Sequence, residues 1–327
     1  MQTELFRDYY KKRGFSPEQT DQAVQAVNAL AADLVRTGGS LETATTAAVE
    51  AHVAGLVAEG RNTADRLLAL ARYFYLTGAQ AIYIYFTALF GSQDVLANIR
   101  DRLAAAEGET TAEAIFAGLG EPPLGAPLTD MPPLVRRFMS RLADNLPPER
   151  YCPLLAGNNH GLPPTGQDEE RRLLAEAGSL DDYLADLHRR KVDELQQHSD
   201  EGRIWCEQVI TPEVVDFVRA NPEILSATRS GNRLYVTKIP YDTAAWLHAA
   251  DDRQRKYFLC HCPFVRAAFL DGQADINPDW CYCSGGFTKY PFELLFGQSL
   301  QVELLESPLL GHDRCRFAIT LPENIKP

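Results

Sequence analysis

Five prolines fall within the thirteen residues 121–133. A proline lacks a backbone N–H and has a fixed φ, so neither a helix nor a central strand runs through such a segment. The chain must therefore fold as two parts, one on each side of this stretch. At 327 residues it has room for two domains of roughly 150 each. We read residues 108–150 as a proline-rich linker holding one short amphipathic helix at about 134–146, and place the boundary near 110–130.

Residues 1–107 read as an all-α bundle. Ser16-Pro17-Glu18-Gln19 is a cap followed by proline at the first helical position. Val24, Val27, Leu30 and Leu34 then recur at helical spacing until Gly38-Gly39. Further starts are expected at Ser40 and Thr63, with two more helices at about 79–90 and 92–106. The run Phe6–Ser16, of the form F-x-x-Y-x-x-x-R-G-F-S, and Gly60–Tyr75 resemble the helical core-binding domain of tyrosine recombinases. That resemblance implies a DNA-associated factor. The family's Arg/His/Arg set and tyrosine nucleophile have no counterpart downstream. This segment also carries ten Lys/Arg against twelve Asp/Glu, a net −2, where phosphate contacts need basic residues. Nucleic acid is not an expected partner, and the bundle is expected to serve packing or a homodimer contact.

Residues 151–327 read as a cysteine-rich α+β domain with a mainly antiparallel sheet, so the fold class is α+β with an all-α N-terminal bundle. Alternation at 233–239 after the Ser230-Gly231-Asn232 turn, at 257–262, at 300–305 and at 315–321 predicts strands, and Gly311-His312-Asp313 predicts a hairpin turn. Short helices are expected at 264–270 and 291–296. The net charge of −12 gives no bulk attraction to nucleic acid or anionic lipid. No window approaches the roughly 18 apolar residues of a membrane helix, and the polar N-terminus lacks a secretory h-region, so a cytoplasmic protein with no membrane partner is expected.

Seven cysteines, an odd number, argue against a disulfide framework. Five of them, Cys260, Cys262, Cys281, Cys283 and Cys315, lie in the last 68 residues. In an extended strand C-x-C puts both sulfurs on one face, and two facing pairs would suit tetrahedral zinc. Buried structural thiols and a redox or nucleophilic role are the competing readings; iron–sulfur spacings are absent. His261 is expected to be a hydrogen-bonded histidine facing away from its neighbours' sulfurs. Cys152 and His160 share a Gly/Asn/Pro-rich stretch, where a surface loop with an incidental cysteine is expected ahead of a thiol–imidazole pair or a second metal corner. Trp280, Tyr282, Phe287, Tyr290 and Phe292 crowd thirteen residues beside the thiols and are expected to line an apolar pocket of ~300 Å3 or more. No phosphate-loop or G-x-G-x-x-G pattern is present, so no nucleotide cofactor is expected.

The run Val302–Phe317 resembles the end of 4-vinyl-reductase-type small-molecule-binding domains. In sensors of that kind cysteines and a glutamate hold a structural zinc beside the ligand pocket. The resemblance matches Cys281 to the first thiol, Cys315 to the last and Glu303 to the glutamate. Ser307, or Glu306 in a shifted register, stands where the family has another cysteine, a gap that Cys260, Cys262 or Cys283 would have to fill. Residues 151–321 also resemble a prokaryotic family related to 2-amino-thiazoline-4-carboxylate hydrolases, through Asn221–Leu225, Leu234–Tyr241, Cys260–Pro263, Trp280–Phe287 and Phe292–Gly297. Together these readings imply a sensor-like protein that binds a small organic ligand beside a zinc site. The alternative is a metal- or thiol-dependent hydrolase of a small heterocyclic or aromatic acid.

Overall fold

The computed structural model describes residues 2–322. They form two compact units, one from residues 2–91 with 121–130, the other from residues 92–120 with 131–322.

The first unit is all helical: α1 (Thr3–Lys12), α2 (Pro17–Arg36), α3 (Thr46–Ala58), α4 (Ala64–Leu76) and α5 (Gln80–Phe90). Ser16 and Gln19 close a capping box around the start of α2, and Thr45 and Thr63 cap α3 and α4. The helix expected from Ser40 begins later because residues 40–43 close their own turn, Ser40 N–H donating to Thr43 Oγ1 at 3.1 Å. Phe6, Val27, Leu30, Val53, Leu67, Phe74 and Phe86 are the buried centre.

The proline-dense segment 121–130 is not a linker; it packs on this bundle. Asn62 Nδ2 donates to Leu124 O at 2.7 Å. Gly125 has φ +92°, and a Cβ there would stand 2.8 Å from Val53 Cγ1. Proline forbids regular structure, not burial, and an irregular segment of this kind still packs closely.

The second unit begins with α6 (Val95–Glu107), α7 (Glu109–Phe116), α8 (Met131–Asn145), α9 (Pro148–Leu155), α10 (Gln167–Glu176) and α11 (Leu180–Asp200). A small hairpin, β1 (Ile204–Trp205) and β2 (Gln208–Val209), precedes α12 (Pro212–Arg219), β3 (Thr228–Ser230) and β4 (Arg233–Thr237). Then come α13 (Thr243–Leu247), α14 (Asp252–Leu259), α15 (Ala267–Leu270), α16 (Tyr282–Phe296), β5 (Gln301–Glu306) and β6 (Arg316–Thr320). The sheet order is β3-β4-β6-β5, antiparallel throughout.

The α+β class holds, but the expected boundaries move. The region expected to link the domains is helical over Glu109–Phe116 and Met131–Asn145. The helix at 95–107, expected in the N-terminal bundle, belongs to the second unit: its Ile99 and Leu103 share a core with Phe138, Phe264 and Trp280. Helical spacing shows that an apolar face exists; it does not show what buries it.

The strand expected at 257–262 is the end of α14 followed by a loop, and Cys281 and Cys283 are helical, so neither C-x-C pair lies in a strand. Likewise Ser284-Gly285-Gly286 is no turn. It lies inside α16, which runs through Pro291 where a separate short helix was expected. One face of the sheet, with Leu234, Val236 and Ile319, is covered by Tyr183 and Leu184 of α11 and Phe292 and Leu295 of α16.

Candidate functional site

The site is built around the first turns of α16. Gly285 packs this helix on the sheet: a Cβ there would meet Phe317 and Val302 at 3.3 Å. Gly286 faces the other way, toward the turn after α9, where a Cβ would stand 2.2 Å from Gly157 O. Two glycines thus let the helix lie tightly between sheet and turn. That turn carries Asn159 and His160. Cys283 Sγ lies 3.7 Å from His160 Nε2 and 4.0 Å from Asn159 Nδ2. Asn159 Nδ2 also donates to Leu155 O at 2.6 Å, while its Oδ1 has no partner among the described residues. His160's thiol neighbour is therefore Cys283, not Cys152, which sits on α9 and packs against the same core that holds Cys283.

Lys238 comes directly after β4, and its backbone N–H donates to Cys315 O at 2.9 Å. Its ammonium donates to Ser284 Oγ at 3.1 Å and stands 4.8 Å from the centre of the Phe287 ring. It forms no ion pair among the described residues, yet its charge reaches His160, His261, Glu207, Cys262, Cys283 and Cys315. Burial, with Lys238 adding, pushes His160 down to about 4 and His261 down to about 3. His261 Nε2 lies 2.6 Å from Ile239 O, so it carries the proton and donates, the hydrogen-bonded role expected of it. Burial pushes Cys283 up to about 12 and Cys315 up to about 11, and also raises Cys260, Cys262 and Cys281. At neutral pH the thiols are protonated and both imidazoles neutral.

Arg266 is 4% exposed, stacked at 3.7 Å on the ring of Tyr241, and its Nε and Nη1 have no partner among the described residues. Glu207 feels both Arg266 and Lys238 but pairs with neither, and burial raises its carboxyl.

The expected zinc ligands share this region: after burial, the charges that most raise Cys260 are those of Cys262, Cys315 and Cys281. Their side chains do not converge on one point. Cys262 Sγ accepts the Trp280 indole N–H at 3.2 Å, Cys281 is hydrogen-bonded to Ser307, and Cys283 faces His160. Glu303, the expected carboxylate ligand, instead pairs with Arg233 at 2.7 Å on an exposed part of the sheet. Among the described residues no three His, Cys, Asp or Glu are grouped to hold a metal ion.

The aromatic run also divides. Trp280 is core, edge-on to Phe138 and Phe264, and Phe292 belongs to the core under the sheet. Tyr282 and Tyr290 are half-buried, and Phe287 is 38% exposed beside His160 and Lys238. A cavity of about 340 Å3 lies elsewhere in the unit, and none of these five rings lines it. Its apolar walls are Phe217, Ile224, Trp246 and Leu259; Lys238 and Arg314 supply positive charge, Glu223 and Asp313 negative, and Asn221, Thr228 and Thr237 add polar groups. Glu223 is fixed by a two-pronged pairing with Arg316 at 2.8 Å and by Thr237 at 2.7 Å. Trp246 Nε1 has no acceptor among the described residues. Sequence reasoning missed this cavity, whose walls come from five separate segments. The one local signal was Lys238, a charge at the end of an alternating strand.

A family model described as a family of unknown function, DUF6144, matches residues 228–326. No curated protein and no solved structure matches the chain. Among the described residues no helix is long and apolar enough to cross a membrane.

Proposed function

We propose that the second unit binds a small organic molecule in the cavity between Phe217, Trp246 and Lys238. The observation that carries this reading is the cavity itself: about 340 Å3, with an aromatic and aliphatic wall facing polar and charged side chains. Sites for small ligands have this size and composition. Lys238 and Arg314 favour an acid, and the two aromatic walls favour a flat ring. The reading keeps the small organic ligand expected from the sequence and moves its site away from the aromatic run. It requires no metal.

All three tryptophans, at 205, 246 and 280, lie in this unit, so indole fluorescence reports on it alone. Titration with benzoate, nicotinate and indole-3-carboxylate should give a saturable change that Trp246→Phe removes. A response that survives Trp246→Phe, or no response to any of the three, would count against the cavity.

A further inference from the structure

The ligand cavity makes no use of Cys283, His160 or Asn159. The sulfur and Asn159 are buried, but on the other side His160, Ser284 and Lys238 are half-buried and Phe287 is exposed. The thiol therefore sits just below the surface, with an imidazole nitrogen at 3.7 Å and an ammonium nearby that has no carboxylate partner among the described residues. The close approach of α16 to Gly157 leaves no room for a side chain at residue 286, so the two elements that carry the thiol and the imidazole are held in register. A nucleophile within reach of a base is the minimum for covalent catalysis. Here a third group, Asn159 Nδ2, has a hydrogen left after its bond to Leu155 O and lies 4.0 Å from the sulfur.

We propose that Cys283 and His160 form a catalytic pair that hydrolyses a small anionic acyl compound (an ester, thioester or amide), with Lys238 recognising its negative charge. Cys283 Sγ attacks the carbonyl carbon while its proton passes to His160 Nε2. The tetrahedral oxyanion collapses, the bond to the leaving group breaks, and the leaving group takes the proton from His160. Water then attacks the thioester, giving a proton to His160. The carbon–sulfur bond breaks, the sulfur recovers the proton from His160, and a carboxylic acid departs. No oxidant, reductant or metal enters the balance. The proposal shares Lys238 with the cavity but is tested apart from it: Cys283 and His160 do not line the cavity, and Trp246 takes no part in the pair.

The test uses the full chain and two pairs of probes, iodoacetate with iodoacetamide, and the mono-4-nitrophenyl ester of succinic acid with 4-nitrophenyl acetate. Peptide mass spectrometry locates the adducts and nitrophenolate release tracks turnover. Labelling and acylation should fall on Cys283, with the anionic member of each pair favoured. Cys283→Ala should abolish acylation there and the associated turnover. His160→Gln should slow acylation by about 10²–10⁴-fold, the usual contribution of a general base. Lys238→Met should bring the anionic-to-neutral rate ratio close to one while Cys283 stays modifiable, which a purely structural lysine would not do. Circular dichroism and the urea midpoint of tryptophan fluorescence confirm that each variant is folded. Modification confined to exposed Cys206, turnover that survives Cys283→Ala, or an unchanged rate in His160→Gln would each overturn the proposal.

Discussion

Gly286→Ala is the sharpest perturbation of the arrangement that positions the candidate site. Its Cβ would stand 2.2 Å from Gly157 O and 2.6 Å from Ala156 C, both backbone atoms that no rotamer change can move. Overpacking costs ~1–3 kcal/mol where side chains can yield, and here they cannot, so the top of that range applies. Alanine offsets ~1 kcal/mol because glycine is a poor helix former. The net loss is then at least ~2 kcal/mol. At a urea slope of ~2 kcal/mol/M, the midpoint of the tryptophan-monitored transition should fall by ~1 M. Gly285→Ala is the internal control. It meets only the Phe317 and Val302 side chains at 3.3 Å, so the helix gain offsets the crowding and stability should stay within ~1 kcal/mol of the parent. A Gly286→Ala protein as stable as the parent would refute the close approach, and with it the reason His160 stands beside Cys283.

Further outcomes rest on the same structure. Glu223 is held below the usual carboxylate range by its hydrogen-bonded pairing with Arg316, so it contributes stability above the unfolded value of ~4.3 that is lost as pH falls through the lower folded value. Glu223→Gln should therefore lower the urea midpoint at pH 7 and flatten its acid dependence; an unchanged acid limb would contradict the pairing. Lys289 is buried and bonds both Glu293 at 2.5 Å and Leu300 O at 2.7 Å, so Lys289→Met should cost ~3–5 kcal/mol by stranding the Glu293 carboxylate. A loss under ~1 kcal/mol in the same melts would show that the pair is solvated. Residues 1–107, at net −2, should give the chain no salt-sensitive binding of random duplex DNA by fluorescence anisotropy; submicromolar binding at physiological salt would overturn this.

Much of the fold was legible from local pattern. The strands at 233–237, 301–306 and 316–320 and the turns that join them are set by alternation and by glycines with positive φ at 231 and 311. The capping box at Ser16 was equally readable. Cys260-His261-Cys262 was not: its alternation mimics a strand, but the preceding Asp251 cap and the spacing in α14 carry a helix up to Leu259. Gly285 and Gly286 read as a turn because glycine usually punctuates. Here the need is close packing on both sides of a helix, which is a tertiary demand that no local window contains. The cavity was hidden for the same reason. Trp246 lies on a five-residue helix, and nothing in its neighbours announces that Phe217 packs 5.3 Å away.

The central claim is that the cavity beside Lys238 receives a small organic acid. A crystal of the full chain soaked with benzoate, nicotinate and indole-3-carboxylate tests it most directly. The account predicts ring density in the cavity, against the wall that Phe217 and Trp246 form together, with the carboxylate turned to Lys238 or Arg314. Density for these probes only outside the cavity, or side chains filling the space, would contradict it.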